Sequence, residues 1–353
     1  MDRNDTIYIL HKTGAKNHHI GLEYLLRQHN GRLVFREFSI AGTFFKSLIR
    51  FDLKSMAKQI VNLLFLLNLL FTKNKRVVLG IAPFDRKLTM LLAVLKNHIV
   101  FYHTSWTVWD GSHHPKRKNV TPAVMQRWKQ FLERDSRHIF AVSHESKIQL
   151  QANYEITDDR ISVVRHAFDA KTFNSAGRKE TQSEPLQFLY VGRLVKQKGL
   201  VEVLEIFSKS PGRKLTIIGS GELQGLVEDF AKNYDNISFI GYVSDPKTLA
   251  GYYHNHHYLI LNSHRTGKWE EVFGIVLIEA MACGVVPIST NHSGPREIID
   301  GRNGYLIEEG TVGLVLENLD DSAYHEMQRH AIETASRFTE SSIAQRWLPV
   351  FND

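Results

Sequence analysis

The residues best suited to chemistry lie in EEVFGIVLIEAMACG, residues 270–284. Glu271 and Glu279 bracket an apolar run that opens on Phe273-Gly274, and the pattern predicts a helix starting at about Gly274. A glycine there lets a ligand approach the backbone, and the free N–H groups and dipole of a first helical turn attract an anion. Glu271 precedes that helix and reaches over its mouth. Glu279 lies more than one turn in, where its carboxylate accepts hydrogen bonds from hydroxyls. Arg193 and Lys198, in YVGRLVKQKGL (190–200), stand five residues apart directly after a predicted strand, as a phosphate clamp requires. Plainer readings stand beside these: solvated or salt-bridged glutamates, and ordinary surface cations. The apolar surroundings weigh against solvated glutamates, because a lone buried carboxylate is costly.

An anion site between two hydroxyl-binding acids fits a diphosphate with a hexose on one side and a ribose on the other. Other signals carry less. IIGSGELQG (217–225) lacks the third glycine of G-x-G-x-x-G, since position 224 is Gln and Gly225 comes one residue late, which argues against a nicotinamide dinucleotide. The histidines at 18–19, 113–114, 254, 256 and 257 lack cysteine partners and ligand spacing, so they read as surface and helix-face histidines and no metal site is expected. Cys283 is the only cysteine, which excludes an internal disulfide, suits a reducing compartment and reads as a small buried hydrophobe.

The elements that must position these residues are short β-rich runs alternating with helical patterns. TIYIL (6–10), RLVFREF (32–38), RVVLGIA (76–82), HIVFYH (98–103), RHIFAVS (137–143) and ISVVRH (161–166) read as buried strands, with helical periodicity between them as at 121–134. LQFLYVG (186–192), KLTIIG (214–219), ISFIGY (237–242), YLILNS (258–263) and VVPISTN (285–291) repeat the arrangement. The expectation is α/β, with two doubly wound parallel sheets binding ligand at the carboxyl ends of their strands and facing a central cleft. The polar stretch NSAGRKETQSEP (174–185) reads as an interdomain linker. The expected domains are 1–170 and 171–337. SSIAQRWLPVF (341–351) reads as an amphipathic helix for which either domain offers a surface, and 338–353 can pack back on the first.

At 353 residues, 43% hydrophobic and 23% charged, the chain has room for two such cores. The net charge of +7 is unevenly placed: residues 1–177 hold 27 Lys and Arg against 14 Asp and Glu, and the rest hold 17 against 23. A basic half suits nucleic acid, an anionic membrane or phosphorylated substrates. No nucleic-acid motif is present, so a basic nucleic-acid-binding protein stands only as an alternative, with no nucleic-acid partner expected. Lys46, Arg50, Lys54 and Lys58 recur every fourth residue ahead of IVNLLFLLNLLF (60–71). Twelve largely apolar residues fall short of the ~20 that span a bilayer, so burial is expected for 60–71. For 44–58, a basic face lying on an anionic membrane and an ordinary solvated face stand equal. HHPKRKN (113–119), near Trp106 and Trp109, reads either as part of an acceptor site or as a solvated basic loop. The amino terminus, MDRNDTIYILHK, lacks the pattern of a secretory signal, and a cytoplasmic location is expected, peripheral on the inner membrane face.

E-x-F-G-x4-E-A-M-A-x-G, present as Glu271 to Gly284, resembles the two-glutamate motif of the GT4 retaining glycosyltransferases, which have the GT-B fold of two Rossmann-like domains. YVGRLVKQKGL, IIGSGEL (217–223), FIGYVSD (239–245) and SGPREIIDGRNGYLI (293–307) are similar to further family segments in the expected order, as are TGAKNH (13–18), FYHTSW around His103, and AVSHESK (141–147). The resemblance implies that Arg193 and Lys198 bind the donor diphosphate, Glu271 the transferred sugar, and Glu279 the ribose. It implies a cradle from Phe273, Gly274, Ile275 and Val276, with Gly192 and Gly241 on neighbouring strand-end loops. His103 and Gly14 would approach from the other domain. The chain departs from the pattern at Val272, His166 and Gly14-Ala15.

The activity implied is hexose transfer with retention from a nucleoside-diphosphate sugar, with no metal and no cofactor. The acceptor implied is a saccharide, expected to be lipid-linked, in surface polysaccharide or lipopolysaccharide biosynthesis. A GT-B sugar-nucleotide epimerase and a phosphorylase-like enzyme are the rivals within the fold. The two-glutamate loop argues against the first, and the short length against the second.

Overall fold

Continuous apolar strands need cover on both faces, and this chain provides it twice over with parallel sheets flanked by helices. The structure is a computed structural model that describes residues 6–12, 16–113, 115, 120–178, 186–267, 269–319 and 321–352. It divides into one unit of residues 1–167 with 343–353 and another of residues 168–342.

In the first unit, β1 (Thr6–His11), β2 (Arg32–Glu37), β3 (Arg76–Gly80), β4 (Ile99–Thr104), β5 (His138–Ala141) and β6 (Ile161–Val163) form one sheet in the order β2-β1-β3-β4-β5-β6. Every pairing is parallel. Alternation along the strands sorts side chains to two cores. Leu10, Leu79, Tyr102 and Ala141 join Trp109, Trp128 and Phe131 on one face. Ile9, Val78, Phe101 and Phe140 face the other, where Ile343, Ala344, Trp347 and Val350 of the closing segment complete the layer. Helix starts follow local hydrogen bonding: Thr121 caps Pro122–Gln130 and Ser143 caps His144–Asn153 through side-chain oxygens.

One part of this unit differs from the sequence expectation. The basic positions 46–58 do not share a helix, because Ile40–Ile49 ends, Phe51 adopts φ 53°, and Asp52 caps a new helix, Leu53–Phe71. Nor is 60–71 a buried run. Gln59, Asn62, Phe65 and Leu69 are the buried residues of that helix, whereas Ile60, Val61, Leu63, Leu64, Leu67, Leu70 and Phe71 are exposed. The cause is a polar knot at the end of β2. The Glu37 carboxylate accepts from Lys58 Nζ at 2.6 Å and Gln59 Nε2 at 3.0 Å, and the Glu37 N–H donates to Asn62 Oδ1 at 3.2 Å. These bonds fix the helix rotation and turn its polar side inward.

In the second unit, β7 (Gln187–Val191), β8 (Lys214–Ile218), β9 (Ile237–Gly241), β10 (Tyr258–Leu261), β11 (Val286–Thr290) and β12 (Tyr305–Ile307) form a second parallel sheet in the order β12-β11-β10-β7-β8-β9. Among the described residues, eleven of the twelve strands coincide with the runs read from sequence; β12, three residues behind a glycine-containing turn, is too short to show periodicity. The stretch read as a linker is in part structural, and the division falls earlier, between Ala167 and Phe168. Asn174 caps the turn Ser175–Gly177, and its carbonyl lies 2.7 Å from His254 Nε2. The Arg178 guanidinium donates to the His256 carbonyl at 3.0 Å and the Tyr324 hydroxyl at 2.5 Å, with Tyr253 and Cys283 carbonyls at 3.4 Å. The polar composition of 174–178 thus serves specific hydrogen bonds; residues 179–185 lie outside the described ones.

Candidate functional site

A doubly wound sheet opens a crevice where neighbouring strands send their chains in opposite directions, outside the carboxyl ends. In the second unit those neighbours are β7, which leads to β8, and β10, which leads to β11 on the other side. The loops leaving them carry Gly192 to Lys198 and Ser263 to Glu271.

Lys198 and Glu271, read from the sequence as contacts to different parts of a ligand, meet in this crevice as an ion pair between Lys198 Nζ and Glu271 Oε2. Both side chains are mostly buried, and Lys198 Nζ also lies 5.1 Å from the Trp269 ring centroid. The same Glu271 oxygen accepts from Ser263 Oγ at 3.2 Å. The Glu271 N–H donates to His292 Nδ1 at 2.9 Å, so the proton of a neutral His292 sits on Nε2, 3.1 Å from Glu309 Oε1. Burial first, and then the nearby Arg265, hold the His292 pKa below the usual histidine value. The Glu271 carbonyl accepts the Gly294 N–H at 3.1 Å, and an added Cβ at Gly294 would stand 2.3 Å from the Phe273 nitrogen. Only glycine admits this close approach of two loops.

The chain next turns into the helix Ile275–Ala282, with Gly274 at φ 78° as its first flanking residue. Leu277 N–H bonds the Gly274 carbonyl, while the N–H groups of Gly274, Ile275 and Val276 meet no acceptor among the described residues. Three consecutive free donors at a helix start form an anion-binding concavity. Phe273 is buried beside it. Glu279, one turn deeper, is half-buried, and the Tyr253 hydroxyl donates to its Oε2 at 3.4 Å. Burial raises the Glu279 carboxyl to about 7.

Arg193 is exposed and forms no ion pair among the described residues. Its loop is tied to the next strand ends: the Gly192 N–H donates to the Ile218 carbonyl, Leu194 N–H to Ser220, and Gly219 N–H to Gly241. Gly192 and Gly241 are thereby brought to the same end of the sheet as Glu271.

In the first unit, His103, the penultimate residue of β4, is buried, with no hydrogen-bond partner for Nε2 among the described residues. Burial, and then His19, His166 and His18, hold its pKa well below the ordinary histidine value. Ring centroids lie 4.9 Å away for His19, 6.2 Å for His166 and 5.5 Å for Trp347. His103 is therefore a neutral imidazole at physiological pH. Gly14 lies outside the described residues, as do His114 and 116–119 of the basic loop.

Two sequence expectations are corrected. His19, His256 and His257 are buried rather than superficial: His19 packs among aromatic rings, and the other two bond the sheet through Thr216 Oγ1 and the Gln187 N–H. Trp109 is core, with its indole N–H donated to the Trp106 carbonyl at 2.8 Å; of the aromatic pair, Trp106 alone keeps exposure, stacked on His113. Among the described residues no group of three or more His, Cys, Asp or Glu is placed to hold a metal ion. Trp269 lies over Lys198, while Tyr253 reaches Glu279, and His292, backed by Glu309, reaches the Glu271 backbone, from distant positions in the chain; none of the four has a local signature in the sequence.

The fold is α/β, two Rossmann-like units of the GT-B class. The structure of the lipopolysaccharide outer core galactosyltransferase WaaB matches with a TM-score of 0.64 at 21% identity, covering 98% of each chain. Anabaena HepE in complex with UDP matches with a TM-score of 0.66 at 15% identity, covering 97% of this chain and 98% of that one. Residues 173–338 match the family Glycosyl transferases group 1, so the family resemblance holds over the unit that carries both glutamates. The Staphylococcus aureus capsular polysaccharide biosynthesis glycosyltransferase CapM is 33% identical over 152 residues, 40% of this chain and 38% of CapM. The match thus spans well under two thirds of that relative.

Proposed function

We propose that the chain is a retaining glycosyltransferase that moves a hexose from a nucleoside-diphosphate sugar to a saccharide acceptor. The observation that carries this reading is the juxtaposition of the Lys198–Glu271 pair with the free N–H groups of Gly274 to Val276 at the crevice between β7 and β10. Arg193 and the free N–H groups hold the donor diphosphate. Lys198 sits between phosphate and Glu271, neutralising charge that grows on the leaving group. Glu271 accepts hydrogen bonds from the sugar, oriented by Ser263 and by the His292–Glu309 relay behind its backbone. Glu279 accepts from the ribose hydroxyls. His103, neutral and with Nε2 unpartnered among the described residues, is the first unit's candidate for a sugar contact.

The acceptor hydroxyl attacks the anomeric carbon on the face the phosphate leaves, and a phosphate oxygen takes its proton as the bond to phosphate breaks. No protein nucleophile is consumed, and catalysis rests on positioning and on charge stabilisation. Neither metal nor cofactor enters the scheme; EDTA-treated protein should keep its activity, and restoration by a divalent ion alone would sink that part. CapM and WaaB are described as glycosyltransferases of capsular polysaccharide biosynthesis and of lipopolysaccharide outer core, which supports a saccharide acceptor in surface-glycan biosynthesis; a lipid-linked acceptor met at the cytoplasmic membrane face is part of the same proposal.

The test is thermal shift against UDP, GDP, ADP, CDP and dTDP with Glu279→Ala in parallel. A ligand at a hundredfold its dissociation constant adds about 2.7 kcal/mol. One diphosphate that stabilises the native chain and not the variant is expected. A folded chain indifferent to all five has no such donor site, and the basic binding-protein alternative then takes precedence.

A further inference from the structure

The helix Leu53–Phe71 is inverted for a surface helix. Its buried side includes Gln59 and Asn62, held by Glu37, while Leu53, Ala57, Ile60, Leu64, Leu67 and Phe71 form an outward stripe at three- and four-residue spacing. Val61 on one flank and Leu63 and Leu70 on the other widen the stripe, and residues 59–72 contain no charge. Leu64 is 59% exposed, and Phe51 and Phe71, at the two ends, are 86% and 85% exposed. A patch of this extent marks an interaction surface.

Width and charge identify what covers it. A seam against a second copy is a narrow stripe with charged flanks; here the flanks are Val61, Leu63 and Leu70, and the outward arc, apolar except for Asn68, covers about half the helix. Exposed Arg50 and Lys54 stand at its start on either side of the exposed capping carboxylate of Asp52, and exposed Lys73 just past its end, so the rim is net positive, as an anionic headgroup layer would require. Nineteen residues rise about 28 Å, enough to cross a bilayer. Crossing is opposed by the inner side, where Phe65 and Leu69 belong to the first unit's core.

The geometry points to an anionic lipid bilayer as the partner: the first unit docks with Leu53–Phe71 lying in the membrane plane, its outer face sunk to headgroup depth and Arg50, Lys54 and Lys73 on lipid phosphates. This deepens the lipid-linked acceptor reading by naming the docking element. It is tested without any sugar nucleotide, so it and the transferase reading fail separately.

The full chain is sedimented with vesicles of phosphatidylglycerol and phosphatidylcholine, and with phosphatidylcholine alone. Binding to the anionic vesicles is expected, about fivefold weaker for each charge removed in Arg50→Gln, Lys54→Gln and Lys73→Gln. The double variant Leu64→Gln, Leu67→Gln should bind at least tenfold more weakly with an unchanged melting midpoint, since both side chains are outside the core. As a measurement independent of those variants, Leu64→Cys carrying an environment-sensitive fluorophore should shift to the blue on vesicles, whereas the same probe at exposed Ile148 should not; Cys283 is buried and stays unlabelled. Absence of sedimentation at low salt overturns the proposal, as does an unshifted probe at 64. A lipid-free dimer abolished by the double variant would assign the face to a second copy and overturn it equally.

Discussion

Glu279→Gln separates stability from function at one carboxylate. Glu279 titrates at about 7 against an ordinary 4.5 because burial opposes its charge, and the hydrogen bond from Tyr253 offsets only part of that effect. Between those two values the folded chain retains a proton that the unfolded chain has released. Stability therefore falls as pH rises through about 4.5 to 7 and stays lowered above it. The gap between 4.5 and about 7, at about 1.36 kcal/mol for each pH unit, amounts to roughly 3 kcal/mol. Glutamine keeps the shape and an acceptor for Tyr253 but cannot ionise. At pH 4.5 the variant and the native chain should melt together. At pH 8.5 the variant should be more stable by up to roughly 3 kcal/mol, a rise of about 6–12 °C for a unit of this size. Melting curves at four pH values and constant ionic strength decide it. A variant no more stable at pH 8.5 than at 4.5, relative to the native chain, would refute burial as the cause. Under the proposed function the same variant binds nucleoside diphosphate more weakly, so the residue lowers stability where it serves binding.

Glu271→Gln leaves the Lys198 ammonium without its anion and should lower transfer by about a hundredfold or more, read as kcat at saturating donor. Arg193→Lys loses only a fork geometry on an exposed side chain; KM for the donor should rise about tenfold while the melting midpoint stays put. Gly294→Ala forces a Cβ against the Phe273 backbone and should destabilise by about 2 kcal/mol or more, seen as a lower midpoint in urea, with an unchanged midpoint meaning that the loop yields freely.

Much of the fold was legible because buried parallel strands leave dense apolar runs. Glu271, Glu279 and the Phe273 to Val276 helix start were legible because a helix entrance has local signatures. The ion pair between Lys198 and Glu271 was not, since it joins residues 73 positions apart whose meeting depends on the strand order. The raised titration of Glu279 needs Tyr253 and the packed helix around it, which no local window contains. The outward apolar face of Leu53–Phe71 was misread for a specific reason. Composition alone sends leucines inward, and the reversal comes from Glu37, an acid on another strand that captures Gln59 and Asn62. His19 and Trp109 were misplaced for the same kind of reason: polarity and a basic neighbourhood suggested exposure, and tertiary packing overrode both.

The chain leaves the first unit at Ala167 and re-enters it at Ile343, so residues 168–342 form an insertion whose two ends are joined to each other by the Phe168 N–H on the Phe338 carbonyl and the Glu340 N–H on that of Phe168. During synthesis the insertion has all its strands before the first unit has its last core residues. Ile7 and Phe140 wait for Trp347 and Val350, which emerge more than two hundred positions after Phe140. The second unit is thus free to fold first, although it is translated later, and the first unit remains an unfinished client for chaperones until residues 343–350 have emerged. A nonsense codon near position 343 would damage the amino-terminal sheet and spare the sheet encoded next to it.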